Sequence, residues 1–105
     1  MNLLIYNDQL KILYLTISYY AALNGQLTIL KWIKTKGYKM DKKVSINAAT
    51  NGHIEIIKWI HNLELDIELD IGYSICDIAL LNGHFEICRW GGKKIGILLL
   101  IIITV

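Results

Sequence analysis

Proline is absent from this chain of 105 residues. No position is therefore barred from a helix interior for want of a backbone N–H. Cysteine is scarce: Cys76 and Cys88 are too few to staple a small fold. They fit a reduced, intracellular and most simply cytoplasmic setting. Net charge is low as well. Eleven Lys and Arg against nine Asp and Glu leave +2, and the lysines read as spread along the chain apart from the pairs Lys42-Lys43 and Lys93-Lys94. So weak a field gives no reason to expect nucleic acid or an acidic membrane as partner. No secretory leader is evident, because Asp8 and Lys11 interrupt the apolar start before a hydrophobic core can form. Gly-rich phosphate loops are missing, and no Ser, Thr or Cys stands beside an evident base. What the chain has in excess is isoleucine, twenty residues of it. Its length suits one small domain.

A nine-residue phrase occurs three times. It reads "NGQLTILKW" at 24–32, "NGHIEIIKW" at 51–59 and "NGHFEICRW" at 82–90. The match extends upstream, where "YYAALNG", "INAATNG" and "DIALLNG" fall in register. Ser18, Ser45 and Cys76 share one column, and Ala21, Ala48 and Ala79 another. The spacings are 27 and 31 residues. Residues 64–71 read "ELDIELDI", a four-residue unit written twice, and removing one copy makes the spacings equal. The chain is therefore organised as a 27-residue unit with a small duplication in one loop, the mark of a repeat architecture.

Each unit predicts a helical hairpin. Its first helix is expected to be short and to end at the Asn-Gly pair, where Gly adopts the left-handed conformation that closes a helix. In unit two, Ile54, Ile56, Ile57 and Ile60 form an apolar stripe on the second helix, with Glu55 and Lys58 toward water. Glu55 lies in the first turn, where a carboxylate suits the helix dipole. The pairs Ala21-Ala22 and Ala48-Ala49 keep the first helix thin, so that neighbouring helices can approach. Such a hairpin cannot bury its own stripe and must stack on another copy.

The segment "AATNGHIEIIKWI" resembles the helix-turn-helix of an ankyrin repeat, and "KGYKM" at 36–40 resembles the exit that follows it. The phrase with Trp in the first of the two Leu columns is similar to ankyrin repeats of large DNA viruses and amoeboid protists. The resemblance covers about 16–90. The T-P-L-H opening is absent, and the period is about six residues short of the usual 33. The resemblance thus implies an all-α fold: a short ankyrin-type solenoid of stacked antiparallel helix pairs with reduced or absent β-hairpin fingers. Units are expected near 16–42, 43–73 and 74–90, the last incomplete. Residues 1–15 would form a partial repeat or cap, and 91–105 an apolar tail outside the pattern. Helix pairs are expected at 16–37, 44–63 and 74–90. Glu64 stands where Gly37 closes unit one, so the second helix of unit two should fray or overrun there.

Chemical signals are weak beside their structural readings. The H-x-E triplets at His53 and His84 match half of a zinc-deaminase motif, but the P-C-x-x-C half is missing. They read as the His and Glu of the repeat. His84 and Cys88 are four apart, as metal ligands can be, yet Cys88 falls in the core column of Leu30 and Ile57 and reads as a small apolar residue. His61 has no counterpart and is expected to be exposed near a helix end. Trp32, Trp59 and Trp90 share a column. They could stack bases, but the register favours an inter-repeat packing ladder.

The functional expectation is a protein–protein interaction module with no catalytic activity, no cofactor and no metal, its protein partner unidentified. Candidate contacts are Tyr19, Tyr20, Asn47 and Asp77 on the first helices and Lys39, Asp41, Lys42 and Lys43 in the loop, with ordinary solvated surface as the alternative. Two other readings are weak membrane association through the tail and a remnant of a longer array. Self-association through an exposed end face or the tail is a further expectation. The duplication makes a direct prediction. Loop closure entropy changes slowly with length, so deleting 68–71 should lower unfolding free energy by less than about 2 kcal/mol in urea titration. A larger loss would show that the segment is packed structure.

Overall fold

Asn-Gly pairs set the joints of the fold. The computed structural model describes residues 3–63 and 73–91 and arranges them as six helices, with no strand among the described residues. These are α1 (Leu3–Leu23), α2 (Leu27–Thr35), α3 (Lys42–Thr50), α4 (Ile54–Asn62), α5 (Tyr73–Leu81) and α6 (Phe85–Gly91). They pair as α1–α2, α3–α4 and α5–α6, and the three hairpins stack in chain order. The duplicated segment, Glu64 and the tail beyond Gly91 lie outside the described residues.

Each first helix ends in the same way. Gly25, Gly52 and Gly83 take φ of 72°, 77° and 80°. That turn lets the next N–H reach back to the helix: Gln26 donates to the Ala21 carbonyl (2.9 Å), His53 to Ala48 (2.8 Å) and His84 to Ala79 (2.7 Å). Carbonyls that would otherwise be orphaned at the helix end are thereby satisfied. The chain then turns directly into the second helix. At the other end of unit one, Gly37 (φ 86°) closes α2. Asp41 opens α3 by accepting from the N–H groups of Lys43 (3.0 Å) and Val44 (3.3 Å).

Alanine sets the spacing of the layers. Ala21, Ala22, Ala48, Ala49 and Ala79 are all buried, and through them α1 packs on α3 and α3 on α5. Second helices touch one another less closely, so the first-helix layer is the tighter side of the stack. The layers meet over Leu30, Ile33, Ile56, Ile57, Ile60 and Ile87, all removed from water. Each such side chain contributes about 1.5–3 kcal/mol on burial. Met40 plugs the loop side of this core. The column of Ser18, Ser45 and Cys76 is buried along the first-helix seam. Ser18 donates to the Tyr14 carbonyl (2.8 Å), whereas the Ser45 hydroxyl has no partner among the described residues.

Two sequence expectations change. The first helix of unit one is not short: α1 has 21 residues and runs without a break through the boundary expected at 15–16. Nothing between Leu3 and Leu23 is Gly or Pro, so no residue there forces a break. The tryptophan column packs between repeats only in part: Trp90 meets the preceding repeat, whereas Trp32 stays within its own hairpin. Trp32 packs on Tyr14 (ring centroids 5.7 Å) and Trp90 edge-on against His61 (5.2 Å), with no Trp–Trp pair among the described residues. A shared register gives each indole a similar direction but not the same neighbours.

The joints also bind one repeat to the next. The His53 ring lies on Gly25 and its Nε2 donates to the Leu23 carbonyl (2.9 Å). His84 repeats this on Gly52 and the Thr50 carbonyl (3.1 Å). A carbonyl can only accept, so Nε2 carries the proton in both rings. Asn51 reinforces the first joint by donating to Leu23 as well (2.7 Å). A Cβ on Gly52 would come within 2.5 Å of the His84 ring, while one on Gly83 would meet no atom within 4 Å among the described residues. Gly83→Ala should therefore cost about 1–2 kcal/mol for the left-handed backbone alone. Gly52→Ala should cost roughly 1 kcal/mol more, as an overpacked contact does. The excess should vanish in a His84→Gln background, measured by urea unfolding. Equal costs at the two glycines would contradict the joint.

Candidate interaction surface

Four of the eight candidate residues meet in one cluster. The Tyr19 hydroxyl on α1 donates to Asp41 Oδ2, while Asp41 Oδ1 caps α3. Lys43 Nζ lies 4.7 Å from the centroid of the Tyr19 ring, a cation–π distance. Asn47 on α3 donates to the Tyr19 carbonyl (3.2 Å). Tyr19, Asp41, Lys43 and Asn47 thus tie the first repeat to the second. Acceptance by Asp41 holds the Tyr19 phenol above its ordinary pKa, and partial burial and the carboxylate charge act in the same direction.

The other four candidates are not brought into that cluster. Tyr20 is 63 % exposed on α1. Lys39 in the loop and Lys42 at the start of α3 are exposed, and Asp77 is half-buried on α5. Lys39 borders an open cleft of about 240 Å³ whose other walls are Lys11, Leu15, Gly37 and Tyr38. Behind it, Tyr38 stacks on Tyr14 with centroids 4.4 Å apart. Trp32 continues this aromatic group, is 48 % exposed, and has Lys36 Nζ 5.2 Å from its ring centroid.

Sequence reading missed three features here. Lys11 and Tyr14 stood in the supposed cap, so their place beside the loop was not anticipated. The lysines are also less evenly spread than they first read. Six of the thirteen residues from 31 to 43 are lysine, a signal present in plain sequence. The roles of His53 and His84 rest on contacts 30 and 34 residues apart, which no local pattern displays.

The remaining reactive groups are enclosed. Cys88 is buried and its thiol donates to the Cys76 carbonyl (3.0 Å). Burial pushes the Cys76 thiol up to about 12, helped by the neighbouring Cys88. Burial raises Cys88 too. Thiols held protonated are poor nucleophiles and poor metal ligands. Among the described residues no three His, Cys, Asp or Glu side chains gather as a metal site, and no helix is long and apolar enough to cross a membrane.

Stacked helical hairpins with glycine joints and an exposed first-helix face define a solenoid repeat protein. The model of three ankyrin repeats matches residues 18–90, and the chain belongs to the ankyrin repeat family. No curated protein and no solved structure matches it. Ankyrin repeats are a scaffold for protein–protein interaction rather than for catalysis.

Tyr19 allows a test of the cluster. Tyr19→Phe should lower stability near neutral pH by about 1 kcal/mol, the scale of a partly exposed hydrogen bond. Because the folded phenol has the higher pKa, the unfolded chain releases its proton first as pH rises above about 10. The native chain therefore loses this stability in that range, and the gap between native chain and variant should narrow. Urea titrations at pH 7 and in the alkaline range, read by circular dichroism, check it. A gap that widens with pH would contradict the assignment.

Proposed function

We propose that this chain is a non-catalytic docking module that holds a protein partner on the tight side of the stack, where α1, α3 and the loop 36–41 meet. The observation that carries this reading is the ankyrin match across three stacked hairpins. Exposed Tyr20, Lys39 and Lys42 supply the contact chemistry. An amphipathic aromatic ring with few rotatable bonds is well suited to an interface. Tyr19, Asp41, Lys43 and Asn47 act one step behind, by fixing α1 against α3 and the loop. Asp77 is half-buried on α5, the next first helix of the stack. Two thiols buried in the core suit a reducing compartment, and the reading places the protein inside the cell.

A photo-crosslinking residue placed at Tyr20 or Lys42 tests it in extracts of the source cell. Adducts should form from both positions, survive nuclease and disappear with protease. The same probe at Arg89, exposed on α6, should give none. Equal adducts at Arg89, nuclease-sensitive adducts, or no adducts from Tyr20 and Lys42 would overturn the proposed face.

A further inference from the structure

The loop side of the first repeat holds positive charge that no ion pair neutralises among the described residues. Residues 31–43 contain six lysines and one acid, Asp41. Asp41 is already engaged by the Tyr19 hydroxyl and by two backbone N–H groups. Among the described residues, none of these lysines forms an ion pair with a carboxylate. Lys36 and Lys43 instead lie over aromatic rings. Lys11 from α1 and Lys39 from the loop line the same cleft, together with Leu15, Gly37 and Tyr38. Two cations and two largely apolar side chains thus share one small recess.

Low net charge conceals a separation. Residues 1–43 carry seven lysines against Asp8 and Asp41, whereas residues 44–90 carry Lys58 and Arg89 against seven carboxylates. The Debye length is about 8 Å at physiological ionic strength. Among the described residues no carboxylate of the second half lies in ion-pair reach of these lysines, and the lysine-rich ledge acts locally as a cationic surface.

We propose that the ledge formed by α1 and the loop 36–41 binds an extended acidic segment of a partner protein, seating a carboxylate between Lys11 and Lys39 and an apolar side chain against Leu15 and Tyr38. This rests on the docking reading above and names the chemistry of the partner. A peptide of alternating acidic and apolar residues matches both parts of the recess. Nucleic acid matches it less well, because Tyr14 and Tyr38 are already stacked on each other rather than free to stack on bases. Binding of this kind is salt-dependent, because the lysines are exposed.

Fluorescence anisotropy of the full chain tests the proposal with three labelled probes: a short peptide alternating Glu and Leu, the same peptide with Lys in place of Glu, and an oligothymidylate of similar length. Only the acidic peptide should bind, and high salt should weaken it. The double reversal Lys11→Glu with Lys39→Glu should weaken it about tenfold or more, with an unchanged helical spectrum and melting profile. Arg89→Glu should leave it unaltered. Undiminished affinity in the double reversal, or preference for the oligothymidylate, would overturn the proposal. So would a native dimer in sedimentation that the double reversal dissociates, since the occupant would then be the acidic half of a second copy. Protein crosslinks from Tyr20 and Lys42 alongside a silent double reversal would refute the acidic specificity while leaving the docking reading intact.

Discussion

A histidine ring pressed on the preceding repeat's glycine is the joint from which the stack is assembled. Its geometry makes two demands at one place. The glycine must turn left-handed to end the first helix, and it must lack a Cβ so that the imidazole can lie against it. In return the ring donates to the last carbonyl of that helix, a group with no partner inside the helix. Local closure and repeat-to-repeat contact are therefore one event. Unit one carries Gln26 in this column, and no glycine joint precedes it among the described residues. Alanine completes the logic on the first-helix side, since larger residues would hold apart the helices that the joints draw together.

This frame leaves the surface free to specialise. Asp41 caps α3 and accepts from Tyr19, so the only acid in a lysine-rich stretch is occupied by structure. Its neighbours keep their charge facing water. The long α1 extends past the start of α3 and brings Lys11, Tyr14 and Leu15 against the loop. A loop without strands thereby gains a helical wall, and the pair makes a ledge rather than a finger.

Most of the fold was legible because its determinants are local and periodic. The Asn-Gly pair and the leading alanine recur in all three units and the apolar stripe in varied residue types, and the structure uses them as that spacing implies. Apart from the early start of α1, the helix pairs begin and end within a residue or two of their expected limits. The length of α1 was obscured by the repeat register, which marked a boundary that the backbone does not feel. The tryptophan column misled for the opposite reason. Register predicts direction, but contacts come from residues with no counterpart in the repeat pattern, such as Tyr14 and His61. Of the surface, residue types alone indicated the loop lysines and Tyr20. The link of Tyr19 to Asp41 spans 22 positions and needs the stack to exist before it can form.

Imidazole protons report on the joints without perturbing them. At neutral pH and low temperature, nitrogen-edited NMR should show resolved, slowly exchanging Nε2–H protons for His53 and His84, both held against backbone carbonyls. His61, exposed at the end of α4, should show none. If all three histidines behave alike, with ring protons lost to exchange, the repeats are not joined as described and the stack is held by side-chain burial alone.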